Sequence, residues 1–174
     1  RIDEGDREGF AAIGAPRFSV RFRPRLAGVH RLRLICADGG GEERSIALAD
    51  LVVDGDGGDC IARVDRDDPR FFSADGRFLW PLGHNLHSTY DTRSVGCLGS
   101  KLTTDRGSFV REDLLERLVA NGGTGCETWL SAWNLGLEWI PKWAGYHGPG
   151  RYHEGHAWAF DRFLDLAERR GVKV

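Results

Sequence analysis

The fold class that the sequence predicts is α/β, with antiparallel β structure leading into parallel β/α structure. Three observations predict it. From residue 18 apolar and polar residues alternate with a period of two. After residue 108 the apolar residues recur at helical spacing instead. The connections between these later elements are also sharply unequal in length.

The alternation comes first along the chain. Phe18, Val20 and Phe22 face one way and Ser19, Arg21 and Arg23 the other, the pattern of a half-buried strand. Gly28 introduces a second run, in which Leu32, Leu34 and Cys36 oppose Arg31 and Arg33. Asp38-Gly39-Gly40-Gly41 makes a turn, and Ser45 to Val53 is a third β-prone run. Short strands parted by glycine turns point to part of an antiparallel β-sandwich over residues 1–62. Asp54-Gly55-Asp56-Gly57-Gly58-Asp59 places acids at alternate positions, as a calcium loop does. Its sixth place is Asp59 rather than glycine and its twelfth is Asp65 rather than glutamate, so it reads as a solvated linker or hairpin loop.

Residues 63–174 are organised around Phe71 to Tyr90, FFSADGRFLWPLGHNLHSTY. Ala74-Asp75-Gly76 is a turn, Phe78-Leu79-Trp80 an apolar strand, and the chain then delivers His84, Asn85, His87 and Tyr90. Ser108 can cap a helix whose first turns carry Glu112 and Asp113 and whose apolar face is Leu114, Leu115, Leu118 and Val119. Asn121-Gly122-Gly123 ends it. Gly125 to Ser131 reads as a strand, about Ala157 to Arg170 as a second helix stopped by Gly171, and Val172 as the start of another strand. Strand, helix, strand, helix, strand is the parallel βαβ pattern. The helix-to-strand turns are Gly122 to Thr124 and Gly171 alone. The strand-to-helix loops run over 81–107 and 132–156, beyond the usual ~12 to 15 residues. In a (β/α)8 barrel all such loops lie at the C-terminal face, where active sites are built. The expectation is therefore the N-terminal part of a (β/α)8 barrel, preceded by part of a sandwich.

Composition narrows the function. The 174 residues carry 24 Lys and Arg against 26 Asp and Glu, a net charge of −2, so no basic field argues for nucleic acid. Apolar runs fall far below the roughly 18 residues of a membrane span, so no membrane partner is expected. The chain contains no methionine, opens at Arg1 in polar sequence and stops where a strand would begin, so it reads as a piece of a longer protein. Cys36, Cys60, Cys97 and Cys126 form no Cys-x-x-Cys pair; buried free thiols are the plainer reading, up to two disulfides the other.

Polar and aromatic side chains gather in the two long loops. Five of the six tryptophans lie between Trp129 and Trp158. Indole faces suit the apolar C–H faces of sugar rings, while Asn and His bind ring hydroxyls. Their plainer role is to cover a barrel rim. His84 with His87, and His153 with His156, raise metal as the competing chemistry. His153-Glu154-Gly155-His156 is not the zincin motif, which needs two residues between Glu and the second His, and neither metal nor cofactor is expected. Glu127 shares an alternate-residue face with Trp129 and Ser131; a structural ion pair is its plainer role, ahead of a catalytic acid.

FFSADGRFLWPLGHN followed by LLERLVANGGTGCETWLSAWNLGLEW resembles the first two βα units of clan A glycoside hydrolases. It is most similar to barrels preceded by an immunoglobulin-like domain of unknown function. Gly150-Arg151-Tyr152 with AWAFDRFLDLAERRGVKV resembles the second helix and the start of the third strand. The resemblance runs from about Asp65 to Val174, and Gly28 to Val53 matches the sandwich loosely. It implies a retaining glycosidase acting on oligo- or polysaccharide, and favours a secreted or periplasmic protein. It implies substrate-binding roles for His84 and Asn85 at the end of the first strand, with His87 just beyond. Trp129, Trp133 and Asn134 would take such roles at the end of the second. The family usually has arginine where this chain has Glu127, which puts the polar network beneath the site in doubt. Its catalytic acid follows the fourth strand and its carboxylate nucleophile sits on the seventh, so both are expected beyond Val174. A non-catalytic carbohydrate-binding relative and a metal-dependent barrel hydrolase are the alternatives.

Overall fold

A computed structural model of the chain describes residues 1–5, 8–15, 17, 19–22, 24, 26–37, 39–55, 62–74, 76–86, 106–131, 135–138 and 146–174. They divide into two compact units: Arg1–Ala15 with Trp80–Val174, and Pro16–Leu79. The sequence reading sets its boundary at 62/63 instead.

The first element of all, β1 (Ile2–Asp3), pairs antiparallel with β2 (Glu8–Gly9) and belongs to the former unit. In the latter unit, β3 (Gly28–His30), β4 (Arg33–Ala37), β5 (Glu43–Ala47) and β6 (Leu51–Val53) form two nested antiparallel pairs. Gly28 stands opposite Val53, and Arg33 opposite Ala47. The Leu48 N–H donates to the Leu32 carbonyl at 3.0 Å between the pairs, so the expected single run from Ser45 to Val53 is two strands. Residues 19–22 form no strand; Phe22 instead meets the His30 ring edge-on at 6.3 Å. Then β7 (Arg63–Val64), β8 (Phe72–Ala74) and β9 (Arg77–Leu79) make an antiparallel meander. Gly76 at φ +68° turns β8 into β9, a backbone conformation that glycine adopts without steric cost.

The apolar run at Phe78-Leu79 is thus half of a hairpin, not the first parallel strand. That strand is β10 (Gly83–Asn85), displaced because Pro81 has no N–H to give to a ladder. After it come α1 (Gly107–Ala120), β11 (Gly125–Glu127) and α2 (Glu154–Arg169). β10 pairs parallel with β11, Gly83 opposite Gly125 and Asn85 opposite Glu127. Gly125 bridges in parallel to Lys173 on its other side. The order is β-α-β-α-β with every pairing parallel. Gly83 is obligatory: a Cβ there would lie 1.6 Å from the Gly125 carbonyl oxygen.

Leu86, Val110, Leu114, Leu115, Leu118, Phe163, Ala167 and Val172 form the core between helices and strands, with Cys126 and Phe160 against it. α1 closes as expected, with Gly122 at φ +77° and its N–H on Val119. Its start differs from expectation. Ser108 lies inside the helix, and Arg106, the residue before the helix begins, makes no side-chain cap. The Glu8 carboxylate accepts the Ser108 backbone N–H at 2.8 Å and its hydroxyl, capping the helix from β2. Glu112 is likewise beyond the first turn, and bridges Arg1, at 2.6 Å, and Arg162. Burial raises the Glu112 carboxyl, but the hydrogen bonds from Arg162 and Arg1 outweigh it and hold it below its ordinary value. The Arg1 guanidinium also stacks over Phe109, 3.8 Å from its centroid. α2 begins three residues earlier than its apolar pattern, at Glu154, because His153 caps it.

Candidate functional site

Paired residues of neighbouring strands share a face, and successive residues alternate between faces. Cys126 packs on the helix core, so its partner His84 stands on the helix-covered side. There His84 lines a shallow cavity of about 280 Å³ with Leu114, Arg117, Leu118 and Asn121. Asn85 and Glu127, one residue further along each strand, fall side by side on the opposite face. The ladder carries on past them, with the Leu86 N–H on the Glu127 carbonyl at 2.7 Å and the Thr128 hydroxyl on the Leu86 carbonyl at 3.0 Å.

Trp129 joins the Asn85 side of the site. Its indole Nε1–H donates to Glu127 Oε1 at 2.6 Å, leaving the ring 49% exposed. Glu127 is itself exposed and makes no ion pair among the described residues. In place of the expected salt bridge stands a neutral donor two residues on, the Trp129 indole. Ser131 is buried, its carbonyl accepting the Gly136 N–H at 2.7 Å, and its hydroxyl has no partner among the described residues. The strand stops at Glu127, short of the expected Ser131.

The structure therefore brings Asn85, Glu127 and Trp129 to one face and sends His84 to the other. His87, Trp133 and Asn134 lie outside the described residues, as do Trp139, Trp143, Cys60, Cys97 and the centre of the Asp54–Asp65 loop. Cys36 and Cys126 are free thiols, Cys36 exposed on β4 rather than buried. Burial pushes the Cys126 thiol up to about 11.

A second polar cluster joins residues 136–138 to the start of α2. The His156 backbone N–H donates to His153 Nδ1 at 3.1 Å, and the His156 Nδ1–H donates to the Gly136 carbonyl at 2.9 Å. The His153 N–H reaches the Leu137 carbonyl at 3.0 Å. His147 stacks on His153 with centroids 6.2 Å apart, and the Glu138 carboxylate accepts the Gly150 N–H. The three-residue spacing of His153 and His156, weighed above for metal, is a capping spacing: both Nδ1 atoms are engaged by backbone. Among the described residues no group of three or more His, Cys, Asp or Glu side chains is placed to hold a metal ion. No described helix is long and apolar enough to cross a membrane.

Comparison of the chain with protein-family models, with curated proteins and with solved structures finds no match.

Proposed function

We propose that the chain supplies part of a carbohydrate-binding face, within the first two βα units of a retaining glycoside hydrolase. The observation that carries this reading is the trio on the open face of the parallel pair. An amide, a carboxylate and an indole, from Asn85, Glu127 and Trp129, gather where two parallel strands end. The amide can donate to and accept from sugar hydroxyls, the carboxylate can accept from them, and the indole offers an apolar ring face to sugar C–H groups. Crevices at the carboxyl ends of parallel strands are where α/β proteins bind ligands. The resemblance of FFSADGRFLWPLGHN and the segment from Leu114 to Trp139 to clan A barrels supports the same reading.

The acid/base and nucleophile belong to strands beyond Val174 on this proposal. Two carboxylates about 5 to 5.5 Å apart would act through a covalent glycosyl intermediate. A non-catalytic carbohydrate-binding relative is the second reading, favoured by Glu127 standing where the family usually has arginine.

Titration calorimetry of the chain with neutral oligosaccharides tests the proposal. Trp129→Ala is expected to weaken binding roughly tenfold, equivalent to ~1.4 kcal/mol, with an unchanged urea midpoint. Equal affinity of wild type and variant removes the indole and with it the reading. Sustained glycoside turnover by these 174 residues alone overturns the placement of the carboxylates.

A further inference from the structure

We infer that His153 is an acid-sensitive latch on the first turn of α2, the turn to which Gly136 and Leu137 are bonded. The device is separate from the carbohydrate reading and stands without it.

Hydrogen-bond direction defines the ring. Its Nδ1 accepts the His156 N–H at 3.1 Å, so Nδ1 carries no proton and the neutral imidazole holds its hydrogen on Nε2. Two further bonds run beside it, from the His153 N–H to the Leu137 carbonyl and from His156 Nδ1 to the Gly136 carbonyl. The Gly136 N–H in turn holds the Ser131 carbonyl. The lone pair of one imidazole thus closes the first turn of α2, and the backbone N–H of His153 and the ring of His156 hold that turn to Leu137 and Gly136.

Protonation cannot leave this arrangement intact. It turns the acceptor at Nδ1 into a donor aimed at another N–H, and places a cation at the positive end of a helix dipole. The groups around the ring have mixed effects. His147 stacks on one side at an interplanar angle of 18°, and the His156 ring lies 4.3 Å away. From α1, Arg111 acts on His156; Glu154 follows in α2; Glu138 is engaged with Gly150 in the loop. Burial, then His147, hold His153 below its ordinary value against the opposing pull of Glu154. Burial also depresses His156, with His153 and Arg111 adding to it and the Gly136 bond opposing. The neutral ring is therefore the resting state near pH 7, and acid opens the latch.

Nuclear magnetic resonance of the 174-residue chain tests this. Imidazole nitrogen shifts at pH 7.5 are expected to place the His153 proton on Nε2. The exchange protection of the His156 amide is expected to be lost in step with protonation of the His153 ring as the pH falls from 7.5 to 5. His153→Asn offers a capping oxygen that does not titrate and is expected to keep that protection at both pH values. An Nδ1–H tautomer in the wild type at pH 7.5, or an equal acid loss in the Asn variant, overturns the latch. Should the variant not fold, the wild-type tautomer decides by itself, together with whether amide protection follows the titration of the His153 ring.

Discussion

Two regions of this molecule start from equally apolar sequence and end in opposite states. Among the described residues every buried apolar side chain, from Leu86 to Val172, belongs to the unit with the helices. None belongs to residues 16–79. In the hairpin of β4 and β5, Leu34 and Ile46 stand opposite each other on one face and Ile35 on the other, and all three are exposed. In the β/α unit, Leu115 and Phe163 are fully buried. A period of two makes an apolar face but no cover for it. A helix after each strand brings its own covering layer, so β10 and β11 acquire a core from α1 and α2.

The comparison can be broken by core truncation. Phe163→Ala is expected to cost about 3–5 kcal/mol, and Ile35→Ala to stay within about 0.5 kcal/mol, by urea denaturation. Similar losses at both sites would mean that the β region shares the core. The two thiols sharpen it next. At pH 8 Cys126, half-buried and with its thiol pushed up to about 11, is expected to react with a maleimide at least roughly tenfold more slowly than exposed Cys36. Peptide mapping of the labelled chain reads this directly, and equal rates would contradict the burial of β11.

Smaller effects concern how the helices are held. Glu8→Ala removes the acceptor of the Ser108 N–H and is expected to cost about 1 kcal/mol. Glu8→Gln should keep part of it, because an amide oxygen still accepts. Unaltered exchange at the Ser108 amide in Glu8→Ala would show the cap to be dispensable. Acid acts on α2 alone in this pair. The folded value of His153 lies below 6.5, so its contribution is complete above about pH 6.5 and is lost as the pH falls through the folded value. Thermal midpoints measured from pH 8 to 5 should decline over that window in the wild type and decline less in His153→Asn.

Helix existence and helix ends were legible, because Asn121-Gly122-Gly123 and Gly171 carry their stop signals locally. What lay in distant partners was not. Nothing near Ser108 announces that Glu8 caps α1, and no local pattern assigns Glu112 to Arg1 and Arg162. Phe78-Leu79 looked more like a parallel strand than Gly83-His84-Asn85 does. The choice is made by Pro81 and by the close approach of Gly83 to Gly125, and only the pairing register displays the latter. The site was half legible. Asn85 and Trp129 were named from residue type, whereas the separation of His84 from Asn85 follows from which face the helices cover.

The clasp at Arg1, Glu8 and Glu112 sets an order on folding. Arg1 and Glu8 find their partners in α1 at sequence separations of 111 and 100 residues. Contacts of such separation close slowly, so β1 and β2 are among the last elements of the βα region to settle.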